Sequence, residues 1–197
     1  VAVKDGRIVQ VAPQIDGSAS EEIDATGLLV TPGFVDIHTH YDGQISWDEE
    51  LAPSSIHGVT TAAMGSCGVG FAPVRPTDHE KLIELMEGVE DIPGSALSEG
   101  ITWGWETFPE YLDSLDRQKL GVNVGALFPF SPLRGYVLGM IPSRERTSVT
   151  EEKLNEMKRL FHEAMEAGAF GFSSDMNTGD RPEDGSWLPS HVASNEE

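Results

Sequence analysis

Residues 33–42 read Gly-Phe-Val-Asp-Ile-His-Thr-His-Tyr-Asp, an apolar run that ends in two histidines spaced two apart. On a β-strand that spacing sends both imidazoles out of the same face. At the C-terminal end of a strand, two ring nitrogens aimed together can hold one divalent ion, which can in turn activate water for hydrolysis. An isolated His-x-His is more often a pair of half-buried or surface histidines. Here the Thr31-Pro32-Gly33 turn and the apolar residues after it supply a strand end, so His38 and His40 are candidate metal ligands. Asp36 shares their strand parity and is read as orienting one of them, or its loop, rather than as binding metal.

The lone cysteine is the next candidate. Gly65-Ser66-Cys67-Gly68-Val69 follows a predicted strand at 59–64, which places Cys67 at the same end of the sheet as the histidines. A single cysteine is usually buried and inert. Beside a metal, however, its thiol is deprotonated and becomes a ligand. Arg134, in Ser131-Pro132-Leu133-Arg134-Gly135, could take a substrate carboxylate through its two-pronged guanidinium. A structural ion pair is the commoner use of such an arginine. His57 at a helix end, His79 and His162 on helices, and His191 in a late loop are read as structural or solvated. Trp103 and Trp105 could wall a pocket, with aromatic packing the plainer role.

These residues need elements to carry them. Asp5-Gly6 between short alternating runs predicts a hairpin over residues 1–12, followed by a further strand near 23–30 turning at Gly27. After Phe34–His38 the chain alternates strands and helices, the pattern of parallel βαβ units. Strands are expected at 59–64, 122–128 and 169–172. A helix at 78–89 is expected with a Thr77/Glu80 capping box, and another from Phe108 with a Thr107/Glu110 box. A long helix with the stripe Leu154, Met157, Leu160, Phe161, Ala164 and Met165 is expected to start at a Ser148/Glu151 box and end at Gly168. Residues 88–104 and 176–190 read as Gly/Pro-rich connections. Four strand-helix alternations suggest half of an eight-stranded barrel or an open doubly wound sheet, and the lack of G-x-G-x-x-G after the first strand disfavours dinucleotide binding.

Composition bounds the partners. The 197 residues carry 13 basic and 33 acidic side chains, a formal net charge of −20, which repels nucleic acid and anionic membrane surfaces. One cysteine allows no internal disulfide, so a cytoplasmic setting is the expectation, and no apolar run approaches a membrane span.

Thr31–Asp42 matches the P-G-x-[VI]-D-x-H-x-H opening of the amidohydrolase superfamily, and the chain resembles that superfamily. Many of its members bridge two metals with a modified lysine at the end of strand four. Ser173-Ser174-Asp175 stands there instead, and none of Lys4, Lys81, Lys119, Lys153 and Lys158 is placed to serve. With the G-[NS]-C-G run at Cys67, the chain is similar to the D-aminoacylase branch, the N-acyl-D-amino-acid deacylases. Further matches are Glu87–Pro93, Trp103–Phe108, Gly121–Val124 and Gly168–Ser173. The resemblance implies an α/β fold, the first half of a metal-dependent (β/α)8 TIM barrel over residues 31–197, preceded by part of a small β-sandwich over 1–30. It implies one or two divalent ions, most simply zinc, held in part by His38, His40 and Cys67, and a small N-acyl amino acid substrate. Relatives take two further histidines from strands five and six and a catalytic aspartate from strand eight. All three are expected beyond Glu197, so a missing barrel half or an oligomeric partner should be needed. Relatives often have a polar residue where Phe130 stands. The rival readings are an amidohydrolase acting on cyclic amides and an inert metal-binding or interaction module.

Overall fold

The computed structural model describes residues 1–182 and 184–197, and the chain divides into two compact units, Val1–Pro32 and Gly33–Glu197. In the first, β1 (Ala2–Lys4) and β2 (Arg7–Gln10) form the expected antiparallel hairpin. Asp5 and Gly6 both take positive φ, 51° and 70°, matching the right-handed twist of the strands they join. The strand expected near 23–30 does not form. Asp24 Oδ1 accepts hydrogen bonds from the backbone N–H and the hydroxyl of Thr26, at 2.9 and 2.6 Å, and this local turn competes with extended pairing.

The second unit is built on four strands, β3 (Phe34–Asp36), β4 (Val59–Met64), β5 (Asn123–Pro129) and β6 (Gly171–Ser173). They lie side by side in chain order and every adjacent pair is parallel. The connections hold α1 (His79–Glu90), α2 (Gly94–Gly100), α3 (Phe108–Asp116), α4 (Phe130–Leu138) and α5 (Glu151–Ala167), and α6 (Pro189–Val192) follows β6. Leu82, Leu85 and Met86 of α1, Phe108 and Tyr111 of α3, and Met157, Leu160 and Ala164 of α5 share one buried cluster with Met64 and Phe128 of the sheet. Phe108 meets Phe128 edge to face at 4.9 Å, a geometry that adds to the burial energy. At the two edges Val35, Ile37 and Phe170 remain 62, 77 and 71% exposed.

Local signals worked where a single residue could make the contact. The Thr107/Glu110 box closes as expected: Thr107 Oγ1 accepts from Glu110 N at 3.3 Å, and Glu110 Oε2 accepts from Thr107 N at 2.9 Å. The other two boxes do not form. Pro76 starts a 3-10 turn through Asp78 that leads directly into α1, and Asp78 makes no side-chain cap. Thr150, extended just ahead of α5, accepts from Lys153 N at 3.4 Å in place of Ser148. Two further helices form, one of them where a connection was expected. α2 lies inside 88–104, and α4 starts at once after Pro129 because its apolar residues Phe130 and Leu133 bury. The 176–190 segment, of which Glu183 lies outside the described residues, is irregular until α6.

The turn after β4 presents Cys67 and is left-handed almost throughout. Gly65, Cys67 and Gly68 have φ of 79°, 54° and 65°. Two of these positions require glycine sterically as well. A Cβ on Gly65 would stand 2.4 Å from the Leu127 carbonyl oxygen, and one on Gly68 would stand 2.9 Å from Ser174 Cα. Cys67 takes the same backbone region with a side chain, at a cost of about 1–2 kcal/mol.

His79 departs from the solvated reading. Its ring stacks on Trp103 at 3.8 Å with an interplanar angle of 6°, and Nε2 is buried without a partner. Burial lowers its pKa from the ordinary 6.5, with Asp78 pulling weakly the other way. His162 and His57 are exposed.

Two outcomes follow from these contacts. In the metal-free protein, Cys67→Gly should be more stable to denaturant than Cys67→Ala by about 1 kcal/mol, since only glycine is relaxed at φ 54°. Equal stabilities would contradict the strain. For His79, the unfolded chain holds the proton more readily than the folded one. Its contribution to stability is therefore present above about pH 6.5 and declines as pH falls through that value. NMR titration should place its midpoint below 6.5, and Trp103→Ala should move it back up.

Candidate metal centre

The sheet brings the three sequence-chosen donors together. β3 pairs with β4, and the pairing continues past its last residue because Thr39 N and Thr39 Oγ1 both donate to the Ala63 carbonyl, at 2.9 and 2.8 Å. Thr39 is thus tied to the neighbouring strand, with His38 and His40 on either side of it. Asp36 Oδ1 accepts from His38 N at 3.2 Å, so it orients the loop backbone. The His38 and His40 rings lie 5.3 Å apart between centroids, and His38 Nε2 is 3.3 Å from Cys67 Sγ. One ligand atom from each of His38, His40 and Cys67 falls within 4.8 Å of the others.

Two residues hold the Cys67 turn in that place. Asp42, just after the histidines and wholly buried, accepts from Gly65 N at 3.2 Å through Oδ2. From the opposite edge, the Ser173 hydroxyl donates to the Gly65 carbonyl and accepts from Gly68 N at 3.2 Å. The end of the fourth parallel strand, where a lysine is absent, is therefore occupied by a serine that clamps the cysteine turn. Burial raises the Asp42 carboxyl to about 7, against the lowering effect of its hydrogen bond from Gly65.

The electrostatics suit a cation. Burial, then the negative charges of Glu90, Asp175 and Asp180, push the Cys67 thiol up to about 11. Burial, then His38, hold His40 down at about 4, which keeps its imidazole neutral. A divalent ion would reverse the cost of the thiolate. Two imidazoles and one sulfur are a donor set that zinc-type ions accept, and His40 Nδ1 is buried with no hydrogen-bond partner, an orphan that an ion could satisfy.

Sequence reasoning missed Glu90, at the C-terminal end of α1. Its Oε1 stands 3.2 Å from His40 Nε2, and its negative charge acts on the Cys67 thiol. Its own pKa is raised, first by burial and then by Asp180. The signal was the Glu87–Pro93 run, which carried a resemblance but no assigned role. The clamping by Asp42 and Ser173 depends on contacts across the sheet and had no local signal.

Other candidates lie elsewhere. Arg134 is fully buried on α4, where Nε meets Glu197 Oε2 at 2.6 Å and Nη2 meets Oε1 at 3.3 Å; Nη1 donates to the Ser143 carbonyl. Its guanidinium is committed to a structural ion pair, which leaves it unfit to receive a substrate carboxylate in this structure. His191 is not solvent-exposed: its side chain is 1% exposed, Nε2 lies 3.0 Å from Asp175 Oδ2, and Trp187 packs edge-on against it. The apolar Leu188 and Val192 around it bury and carry the histidine in with them. Trp105 packs against Tyr111 and donates Nε1–H to the Phe71 carbonyl at 2.8 Å. Phe130 is buried against Phe172 at 5.9 Å, an apolar contact.

A model of the amidohydrolase family matches residues 21–185. An uncharacterized protein of Mycobacterium tuberculosis is 36% identical over 177 residues, covering 88% of this chain and 29% of its own length. The D-aminoacylase of Alcaligenes xylosoxydans xylosoxydans is 32% identical over 174 residues, covering 88% of this chain and 33% of the relative. A crystal structure of D-aminoacylase overlays with a TM-score of 0.61 at 27% identity, covering 84% of this chain and 30% of that one. An N-acyl-D-glutamate deacylase from Bordetella bronchiseptica, solved with zinc and a phosphonate mimic of the tetrahedral intermediate, overlays at 0.60 and 28% identity, covering 83% and 29%. The chain spans about a third of the length of these relatives. Its α/β sheet of four parallel strands is the first half of the (β/α)8 TIM barrel expected from the sequence. On the family match over most of its length, the chain belongs to the amidohydrolase family.

Proposed function

We propose that the complete protein hydrolyses a linear amide C–N bond, that of an N-acyl-D-amino acid, and that this chain supplies His38, His40 and Cys67 to its metal centre. The observation that carries the proposal is the convergence of those three donors within 4.8 Å at adjacent strand ends. A bound divalent ion, zinc by the donor set, would polarise the amide carbonyl and acidify water.

This chain's residues bind and position. Asp36 and Thr39 fix the backbone on either side of His38, and Asp42 and Ser173 fix the turn that carries Cys67. The group that moves the proton, an aspartate by resemblance, belongs to later strands of the complete barrel. Those strands would also cover the exposed Val35, Ile37 and Phe170 edges. Residues 1–30 are proposed as part of a small β-sandwich, and a thiolate ligand favours a reducing compartment such as the cytoplasm. Cyclic-amide hydrolysis is the weaker reading, because the strand-four lysine that usually accompanies it is replaced by Ser173.

The test is metal content and turnover of the complete protein. Purified protein should carry zinc and release free amino acid from N-acyl-D-substrates, with N-acyl-L-amino acids and cyclic amides poor by comparison. Cys67→Ala and His38→Ala should lose both metal and turnover. Full metal content in Cys67→Ala, or turnover confined to cyclic amides, would overturn the assignment.

A further inference from the structure

The end of β6 carries the serine that clamps the cysteine turn, and the residue two further on is gripped from the other side. Asp175 is buried, and both of its carboxylate oxygens are committed: Oδ1 accepts from Asn177 N at 2.7 Å, and Oδ2 is hydrogen-bonded to His191 Nε2 at 3.0 Å. The His191 side chain is 1% exposed, and its other ring nitrogen, Nδ1, is buried with no partner among the described residues. That orphan is costly, and an apolar residue between the buried Leu188 and Val192 would avoid it. The bond to Asp175 is the polar contact that the ring gains in return. His191 is also well supported from behind. The neighbouring Ser190 hydroxyl meets Ser131 Oγ of α4 at 3.4 Å, and Trp187 packs edge-on against the imidazole with 5.9 Å between centroids.

On the other side of Asp175, the turn that presents Cys67 rests directly on the backbone that the carboxylate anchors. A Cβ on Gly68 would stand 3.0 Å from Asp175 N, and Ser173, in the same short run, binds both Gly65 and Gly68. We infer that His191 is a positioning residue for Cys67: by holding Asp175 it fixes the backbone of residues 173–175, and that backbone fixes the cysteine turn. His191 is not one of the three converging donors, so it acts only through these intermediates. Supports that stand behind a ligand govern how well the ligand is held. The bearing on metal rests on the function proposed above, whereas the His191–Asp175 clasp is a property of the metal-free chain.

In the complete, metal-free protein, alkylation of Cys67, followed on its own peptide by mass spectrometry, reads how firmly the turn is held. His191→Leu should be alkylated several-fold faster than the parent, and His191→Gln, whose amide nitrogen can reach Asp175, should return most of the way. Asp184→Ala, which cuts an exposed tie between the same loop and Arg144, should leave the rate unchanged. Zinc affinity, read by chelator competition, should follow the same order and fall roughly 10-fold in His191→Leu, the low end of what losing an indirect support costs. A parent-like alkylation rate in His191→Leu, or an equal rise in Asp184→Ala, would overturn the proposal. Unaltered zinc affinity in His191→Leu would overturn its bearing on the metal. Should His191→Leu fail to fold, Asp175→Asn puts the same question, since a carboxamide has one oxygen for two partners: faster alkylation supports the clasp, and a parent-like rate overturns it. Parent protein that binds no zinc would remove the function proposed above, yet the alkylation series would still decide the role of His191.

Discussion

Gly65 is held by both of its backbone groups, its N–H by the buried Asp42 carboxylate and its carbonyl by the Ser173 hydroxyl. One clamp comes from the loop after the first parallel strand and the other from the end of the fourth. Between them the backbone runs left-handed through Cys67, a conformation that a cysteine adopts only when its surroundings impose it. The sheet is thus drawn together at the site it serves. Without these two bonds, nothing local would keep the sulfur 3.3 Å from His38.

The same arrangement explains the local charge. Glu90, Asp175 and Asp180 all act on Cys67, and together they raise the cost of a thiolate. Such a collection is unfavourable for a folded chain by itself and becomes favourable around a cation. His40, neutral through burial, would add a ligand without adding charge. The acidity of the chain as a whole, −20 by formal count, has no special relation to this cluster, since most of those side chains lie on helices and loops elsewhere.

The three candidate metal donors were legible because each sits at a strand end announced by short-range signals. Pro32-Gly33 and the apolar Phe34–Ile37 mark one, and Val59–Met64 followed by Gly65 marks the other. The Thr107/Glu110 cap was legible for the same reason, its two bonds lying within four residues. What failed was decided at longer range. His191 looked like a loop histidine, but Leu188 and Val192 bury beside it and Asp175 receives its ring. Of the two uses open to Arg134, the ion pair is the one found, because the apolar residues preceding it continue from β5 straight into a buried helix. Glu90 could not be singled out among the acidic residues of α1, because only the packing of that helix brings its last carboxylate to His40.

Cys67 as a metal ligand is the point on which the proposed function turns, and zinc-edge X-ray absorption of the complete, zinc-loaded protein tests it directly. The expected result is a sulfur scatterer at about 2.3 Å alongside nitrogen or oxygen at about 2.0–2.1 Å, with the sulfur shell absent in Cys67→Ala. A first shell of nitrogen and oxygen alone in the unmutated protein would contradict it.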